Sequence, residues 1–321
     1  MKLRGLEFGN VFCTSGARGF FGEGYWFHRY ARPFGLEYAG STFIAKTTTL
    51  APRKGNMPLA ADGITPVDTR PSCIIAKPVQ GFALNAVGLS GPGAAHLLGT
   101  KRWQLRLDPF LISFMAVGAA RDDRMREAEG FVTLMRAHQR DFCAPFGIQL
   151  NVSCPNTGHD PSHLITDAVE LLHVLSQLTV PLVMKVSVLM TPAAVLNILR
   201  RAPCDAVTVS NTIPWGALPH RIDWKGLFGT ETSPLAHLGG GGLSGRPLLP
   251  LVLEWILAAK DLELPVPLIA CGGILSWEDA AHLLVAGASA IELGSVSFLR
   301  PWRVRGIIQT VNRGFVEKRW F

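Results

Sequence analysis

The chain has 321 residues, 48% of them hydrophobic and 17% charged, with a formal net charge of +7 from 31 Lys and Arg against 24 Asp and Glu. Its longest apolar stretches, such as 248–259 with Glu254 inside it, are too short and too interrupted to span a membrane. The basic residues lack the interleaved aromatics of a nucleic-acid module, and the six cysteines show neither a CxxC nor a zinc-like spacing with histidine.

What remains is an apolar, water-borne enzyme with reduced thiols, and the expected compartment is the cytoplasm, since the start MKLRGLEFGN lacks the apolar run of a signal peptide. Parallel strands buried on both faces read as continuous apolar runs and give this composition. A subunit interface, as in a homodimer core, would add to it.

Eight such runs follow one another along the chain, each ending in Gly, Ser, Thr or Asn: 11–16, 42–47, 111–118, 148–153, 182–187, 206–211, 268–273 and 290–295. Helical patterns lie between several of them. Residues 121–140 are charged and periodic, and 167–178 read DAVELLHVLSQL. The segment 191–202 opens on Thr191-Pro192, a cap followed by proline at the first helical position. Ser276 begins a capping-box pattern before AAHLLVAG. Near the end, Arg300, Arg303, Arg305, Arg313, Lys318 and Arg319 suit a solvated terminal helix whose long stems cover apolar surface.

Strand and helix alternating eight times predict a closed (β/α)8 TIM barrel, one domain over residues 1–321 with extra loops at its C-terminal face. An open doubly wound sheet fits less well, because no GxGxxG follows the first strand. Two long irregular stretches, 50–85 and 212–242, both follow strands and are expected to cover the active site or to form small extra elements.

The polar residues gather at the strand ends, where barrel enzymes keep their chemistry. Gly272 and Gly273 close the seventh run, Gly294 and Ser295 the eighth, and Gly245 precedes Arg246-Pro247 and a helix. Together they suit a phosphate held on backbone N–H groups, although a single Gly-Gly is more often a turn. Lys46 and Lys185 sit inside runs, each either a cation for an electron-rich ring or carboxylate, or a lysine snorkelling from a strand end. Asn85, Asn151, Asn156 and Asn211 fall at strand ends and loops. Carboxamides both donate and accept, which suits a cyclic amide such as a pyrimidinedione; a lone loop asparagine is more often a turn residue. Cys154 follows a strand and precedes Pro155, so it is a candidate base or nucleophile, with a buried structural thiol as the plainer alternative. No residues group with metal-ligand spacing.

At these residues the sequence resembles the dihydroorotate dehydrogenase family, from about residue 10 to 300. The matching segments include TSG (14–16), AKTTTLAPRKGN (45–56), ALNAVGL (83–89), NVSCPNT (151–157), MKVS (184–187), SNT (210–212), GGLSG (241–245), CGGI and GASAIELGS. SCPN is the pattern of class 1, with a cysteine base; the FFGEGY and KTTTLAPRKGN blocks are closest to its NAD-linked branch.

The resemblance implies an FMN cofactor contacted by Ser15, Lys46, Thr47, Asn151, Lys185, Ser210, Gly245, Gly272, Gly273, Gly294 and Ser295. It implies a substrate held by Lys46, Asn85, Ala86, Val87, Gly88, Leu89, Asn151, Asn156, Asn211 and Thr212, with Cys154 as base and Lys46 as the second catalytic residue. The implied reaction oxidises dihydroorotate to orotate in pyrimidine biosynthesis, and the implied partner is a subunit carrying FAD and an iron–sulfur cluster. An alternative within the same barrel is an FMN enzyme acting on another dihydropyrimidine or related cyclic amide; a third reading is a phosphate-binding isomerase or aldolase without flavin. The chain departs from the branch in the short TGHDP after Asn156, in Met115 where an asparagine is usual, and in the aromatic stretch with Pro214, Trp215, Trp224 and Leu227. That stretch is expected to be a lid or a partner surface.

Overall fold

A computed structural model describes residues 1–152 and 161–320, the side chains of 161–164 excepted. Eight strands close a parallel barrel: β1 (Val11–Cys13), β2 (Thr42–Thr48), β3 (Phe110–Phe114), β4 (Phe146–Asn151), β5 (Leu182–Val186), β6 (Ala206–Val209), β7 (Leu268–Cys271) and β8 (Ala290–Leu293). Each pairs with its sequence neighbour, and β8 returns to β1, with Ile291 beside Val11 and Leu293 beside Cys13. All eight apolar runs are therefore barrel strands.

The third run is shorter than its pattern suggests. Strand β3 stops at Phe114 because the amides of Val117 and Gly118 turn to the Glu127 carboxylate, at 2.5 and 3.2 Å, instead of continuing the ladder.

The intervening helices form where their caps and periodicity require. Arg121–His138 buries Ala128, Phe131, Val132 and Met135 on one face. Pro192–Leu199 starts at Thr191, whose hydroxyl accepts from the Ala194 amide at 3.2 Å. Trp277–Ala286 starts at Ser276, which accepts from the Asp279 amide at 3.4 Å. The basic C-terminal segment is the helix Val304–Val316, which buries Val304, Ile307, Ile308 and Val311 and leaves Arg305 exposed.

Inside the barrel the period of two sorts side chains into layers. The lowest layer is apolar: Phe12, Ile44, Leu111, Val183, Ala206, Ile269 and Ala290 pack with Leu3 and Phe8 of the N-terminal hairpin (Lys2–Leu3 with Leu6–Glu7), which plugs the barrel from below. Gly147 completes that level on β4, where a Cβ would lie 2.8 Å from the Leu111 side chain. The plug explains how a barrel whose upper interior is polar still has a dry, close-packed base.

The two long loop stretches meet in a four-stranded antiparallel sheet, ordered Ile213–Pro214, Gly242–Gly245, Phe82–Asn85 and Ile74–Lys77. Its strands come from the segments after β2 and after β6, so it lies at the C-terminal face. The aromatic stretch beside it is neither a free lid nor a bare surface. Trp215 and Trp224 pack at a tilt, with ring centroids 4.8 Å apart, Trp215 meets Phe228 edge-on at 5.1 Å, and Phe228 reaches Phe82 of the sheet at 5.2 Å. Trp224 is buried and its indole donates to the Ala217 carbonyl at 3.0 Å.

Candidate active site

Two residues above the apolar layer, the strands present a second interior layer that is polar: Thr14, Ser113, Gln149, Lys185, Thr208, Cys271 and Glu292. Thr14 follows β1 and the others lie on β3 to β8. Lys185 and Glu292 form its centre, with Nζ 2.5 Å from Oε1; Lys185 is 3% exposed and Glu292 is fully buried. Glu292 also accepts from the Thr14 hydroxyl and from Gln149 Nε2, the latter at 2.9 Å. Burial disfavours the Lys185 ammonium, but Cys271 and the Glu292 carboxylate beside it together outweigh that, and the lysine is held above its usual range. Glu292 did not stand out in the sequence, although its acid in the middle of AIELGS, an otherwise apolar strand, was the available signal.

Strand β2 contributes differently. Its register shifts between Ala45 and Thr48, so both Lys46 and Thr47 find polar partners. Thr47 Oγ1 lies 2.9 Å from Ser113 Oγ and 3.2 Å from Ser15 Oγ, a hydroxyl ladder across β1, β2 and β3. Lys46 is 9% exposed; its ammonium donates to the Ser90 carbonyl and sits 4.4 Å from the Phe20 ring centroid. Burial pulls it down to about 8, against the weaker opposing influence of Glu23. The two strand lysines thus differ in kind: Lys185 has a carboxylate against it, and Lys46 is held by a carbonyl and a ring.

At the top of the barrel, Asn211 Nδ2 donates to Asn151 Oδ1 at 2.6 Å, joining the ends of β4 and β6. Ser210 accepts from the Val188 amide at 3.1 Å and donates to the Asn211 carbonyl at 2.5 Å, which fixes the turn that carries Asn211. Asn85 stands apart from this pair and donates to the Gly242 carbonyl at 3.3 Å within the small sheet. Thr212 is exposed at the neighbouring edge, its side chain against Gly242. Cys154 and Asn156 lie outside the described residues.

The segment Asn85–Leu89 is shaped by two residues that sequence reasoning passed over. Asn56, the last residue of KTTTLAPRKGN, donates its carboxamide to the Ala86 carbonyl at 2.7 Å and its amide to the Val87 carbonyl at 2.9 Å. Ser90 bridges the Met57 amide (3.0 Å) and the Val87 carbonyl (3.1 Å) while its own carbonyl accepts from Lys46. Leu89 has a left-handed φ of 60°, so the chain reverses here under these clamps.

The strand-end glycines pack closely on their neighbours. Gly245 ends its strand against Gly81 and Phe82 and leads through a single turn into the helix Leu249–Asp261. Gly273, with φ 78°, lies so close to the start of that helix that a Cβ would be 2.5 Å from the Leu249 nitrogen. A Cβ on Gly294 would be 2.9 Å from Thr14 Cγ2. Among the described residues, no backbone carbonyl accepts from the amides of Gly272, Gly273, Gly294 or Ser295. Uncommitted amides at the ends of β7 and β8, beside a helix N-terminus, are what a phosphate monoester needs.

Comparison with known proteins bears on which ligand this geometry serves. A family model described as dihydroorotate dehydrogenase matches residues 1–315. The chain belongs to the dihydroorotate dehydrogenase family. Members of that family are oxidoreductases, and this chain is one by descent. A relative from Listeria monocytogenes serotype 4b is 29% identical over 94% of this chain and 88% of its own length; one from Geobacillus kaustophilus is 30% identical over 94% and 86%. Both are named dihydroorotate dehydrogenase B (NAD(+)), catalytic subunit. Among solved structures, a DHODH from Eimeria tenella in complex with ferulenol shares the fold, with a TM-score of 0.64 at 20% identity over 98% of this chain and 85% of the other. Among the described residues, no helix is long and apolar enough to cross a membrane, and no group of His, Cys, Asp and Glu could hold a metal ion.

Proposed function

We propose that the protein binds FMN at the barrel mouth and oxidises dihydroorotate to orotate, with Cys154 as the general base. The observation that carries this reading is the Asn151–Asn211 carboxamide pair at the strand ends, two residues along the chain from Gln149 on β4 and three from Thr208 on β6, and hence directly above the Lys185–Glu292 layer. The donor set suits a flavin: amides of Gly245, Gly272, Gly273, Gly294 and Ser295 for the phosphate, and Ser15, Lys46, Thr47, Asn151, Lys185 and Ser210 for the ring. Gly273 and Gly294 pack so closely on Leu249 and Thr14 that a Cβ at either would clash, which keeps both positions bare backbone.

Bound FMN supplies the hydride acceptor. The chain does the rest. Lys46 offers a buried cation to the substrate carboxylate, and burial makes that cation worth more than at a surface. Asn85 to Leu89, held by Asn56 and Ser90, form one wall; Asn151, Asn156, Asn211 and Thr212 offer paired donors and acceptors to the ring amides. Cys154, as thiolate, takes the proton at C5 of the substrate while the hydride departs from C6. The thiols of Cys13, Cys204 and Cys271 suit no such role, because burial pushes each up to about 12. The relatives' name, catalytic subunit of an NAD(+)-linked enzyme, supports a second, electron-accepting subunit; that this subunit carries FAD and an iron–sulfur cluster, and that the setting is the cytoplasm, are parts of the proposal.

The test is the visible spectrum of the purified protein. It is expected to be yellow, to release FMN on denaturation, and to bleach anaerobically with dihydroorotate but not with dihydrouracil. A reconstituted protein that holds no flavin, or a flavin that dihydrouracil reduces in preference, overturns the reading.

A further inference from the structure

We infer that Glu292 is a positioning residue, which holds Lys185 as an upright cation beneath the flavin; this rests on the FMN reading above. The geometry is that of a buried charge with its donors and acceptors assigned. Glu292 receives three hydrogen bonds, from Lys185, Thr14 and Gln149, each from a different strand or strand end. Lys185 in turn gives one N–H to Glu292 and one to Thr14 Oγ1 at 2.7 Å. Its third N–H has only the Cys271 sulfur, at 4.0 Å, a weak acceptor. Two anchored donors fix the direction of the third.

The charge needs this arrangement. A lysine 3% exposed and without a counterion sheds its proton, and a neutral amine would be a poor partner for the electron-rich edge of a flavin. Around Lys185, Gln149 on β4, Thr208 on β6 and Thr14 after β1 are neutral, and Cys271 on β7 is kept a thiol by burial. Among the described residues, the Glu292 carboxylate is the anion within reach of the Lys185 ammonium.

Two measurements test the inference. FMN affinity of the flavin-stripped protein is read by fluorescence quenching from pH 7 to 9.5. The native protein and Lys185→Met are expected to follow one and the same pH profile, in which Lys46 loses its proton but Lys185 plays no part, with the variant binding more weakly. Glu292→Gln keeps the shape and, with its oxygen at the Oε1 position, the Thr14 contact; its NH2 meets Gln149, whose carboxamide turns over to accept, and the counterion is gone. Its affinity is expected to fall with rising pH, by up to tenfold per pH unit, as Lys185 loses its proton. A purely structural carboxylate would lower affinity equally at every pH, and a Glu292→Gln profile parallel to the native one overturns the inference. In case that variant does not fold, the native protein alone decides: the side-chain nitrogen resonance of Lys185, assigned with Lys185→Met, is expected to remain that of an ammonium up to pH 10. Loss of the proton below pH 9.5 refutes the pairing. A native protein that binds no FMN defeats the functional reading, while the nitrogen titration still judges the pair.

Discussion

Lys46 offers a test in which stability and binding move in opposite directions. Its ammonium is buried with one carbonyl and one ring for company, and burial brings it from 10.5 to about 8. That difference corresponds to about 3 kcal/mol of disfavoured charge at neutral pH. The sign follows from linkage. Below pH 8 both folded and unfolded lysine carry the proton, and the folded state bears the whole cost. Between 8 and 10.5 the unfolded chain binds more protons, so stability rises with pH.

Lys46→Met removes the charge while keeping a long apolar stem, and leaves the Ser90 carbonyl without its donor, a loss of about 1–2 kcal/mol. The variant is therefore expected to be more stable than the native protein by roughly 1–2 kcal/mol at pH 7. Urea unfolding at pH 7 and at pH 9.5 checks it: the native protein gains stability between the two, and the variant's advantage shrinks. Orotate binding should behave in the reverse way. The native affinity falls above pH 8 as the cation is lost, by about tenfold at pH 9, while the variant binds weakly at every pH. A variant less stable than native at pH 7, or one that binds orotate undiminished, would refute the reasoning that this lysine is a cation kept for the substrate at the expense of the fold.

Two further outcomes follow from the same site. Gly273→Ala places a methyl 2.5 Å from the Leu249 nitrogen at a φ of 78°, so it should displace the helix start and abolish FMN retention, measured as flavin content after gel filtration. Cys154→Ala should keep FMN and bind orotate yet reduce its flavin about 10²–10⁴-fold more slowly with dihydroorotate, and stopped-flow reduction in the native protein should quicken as pH rises through the thiol pKa.

The barrel was legible because its signal is repetitive. Eight apolar runs, each ended by small or polar residues, leave little choice of fold, and caps such as Thr191 and Ser276 announce themselves locally. The small sheet over the mouth was not legible: its strands are two to four residues long, and its central pairing joins segments more than 150 positions apart, as Asn85 with Gly242. No local pattern specifies such a pairing. The aromatic residues around Trp215 and Trp224 misled for a related reason, since their burial depends on Phe82 from the other insertion.

Lys46, Lys185, Asn151 and Asn211 could be picked out by their position at strand ends, but not their partners. The alternation itself held more than was taken from it. Phe12 then Thr14, Val183 then Lys185, Ala206 then Thr208, Ile269 then Cys271 and Ala290 then Glu292 all step from apolar to polar at the same spacing of two. A barrel closes these pairs into rings, so each such step belongs to one common floor, with the apolar ring and its Leu3–Phe8 plug below and the polar ring above. Glu292 and Lys185 are 107 residues apart in sequence, and what makes them neighbours is that both stand two positions above that floor. The floor therefore does more than fill the barrel: it fixes the height at which a buried charge pair can sit, and so the height of any ring resting on it.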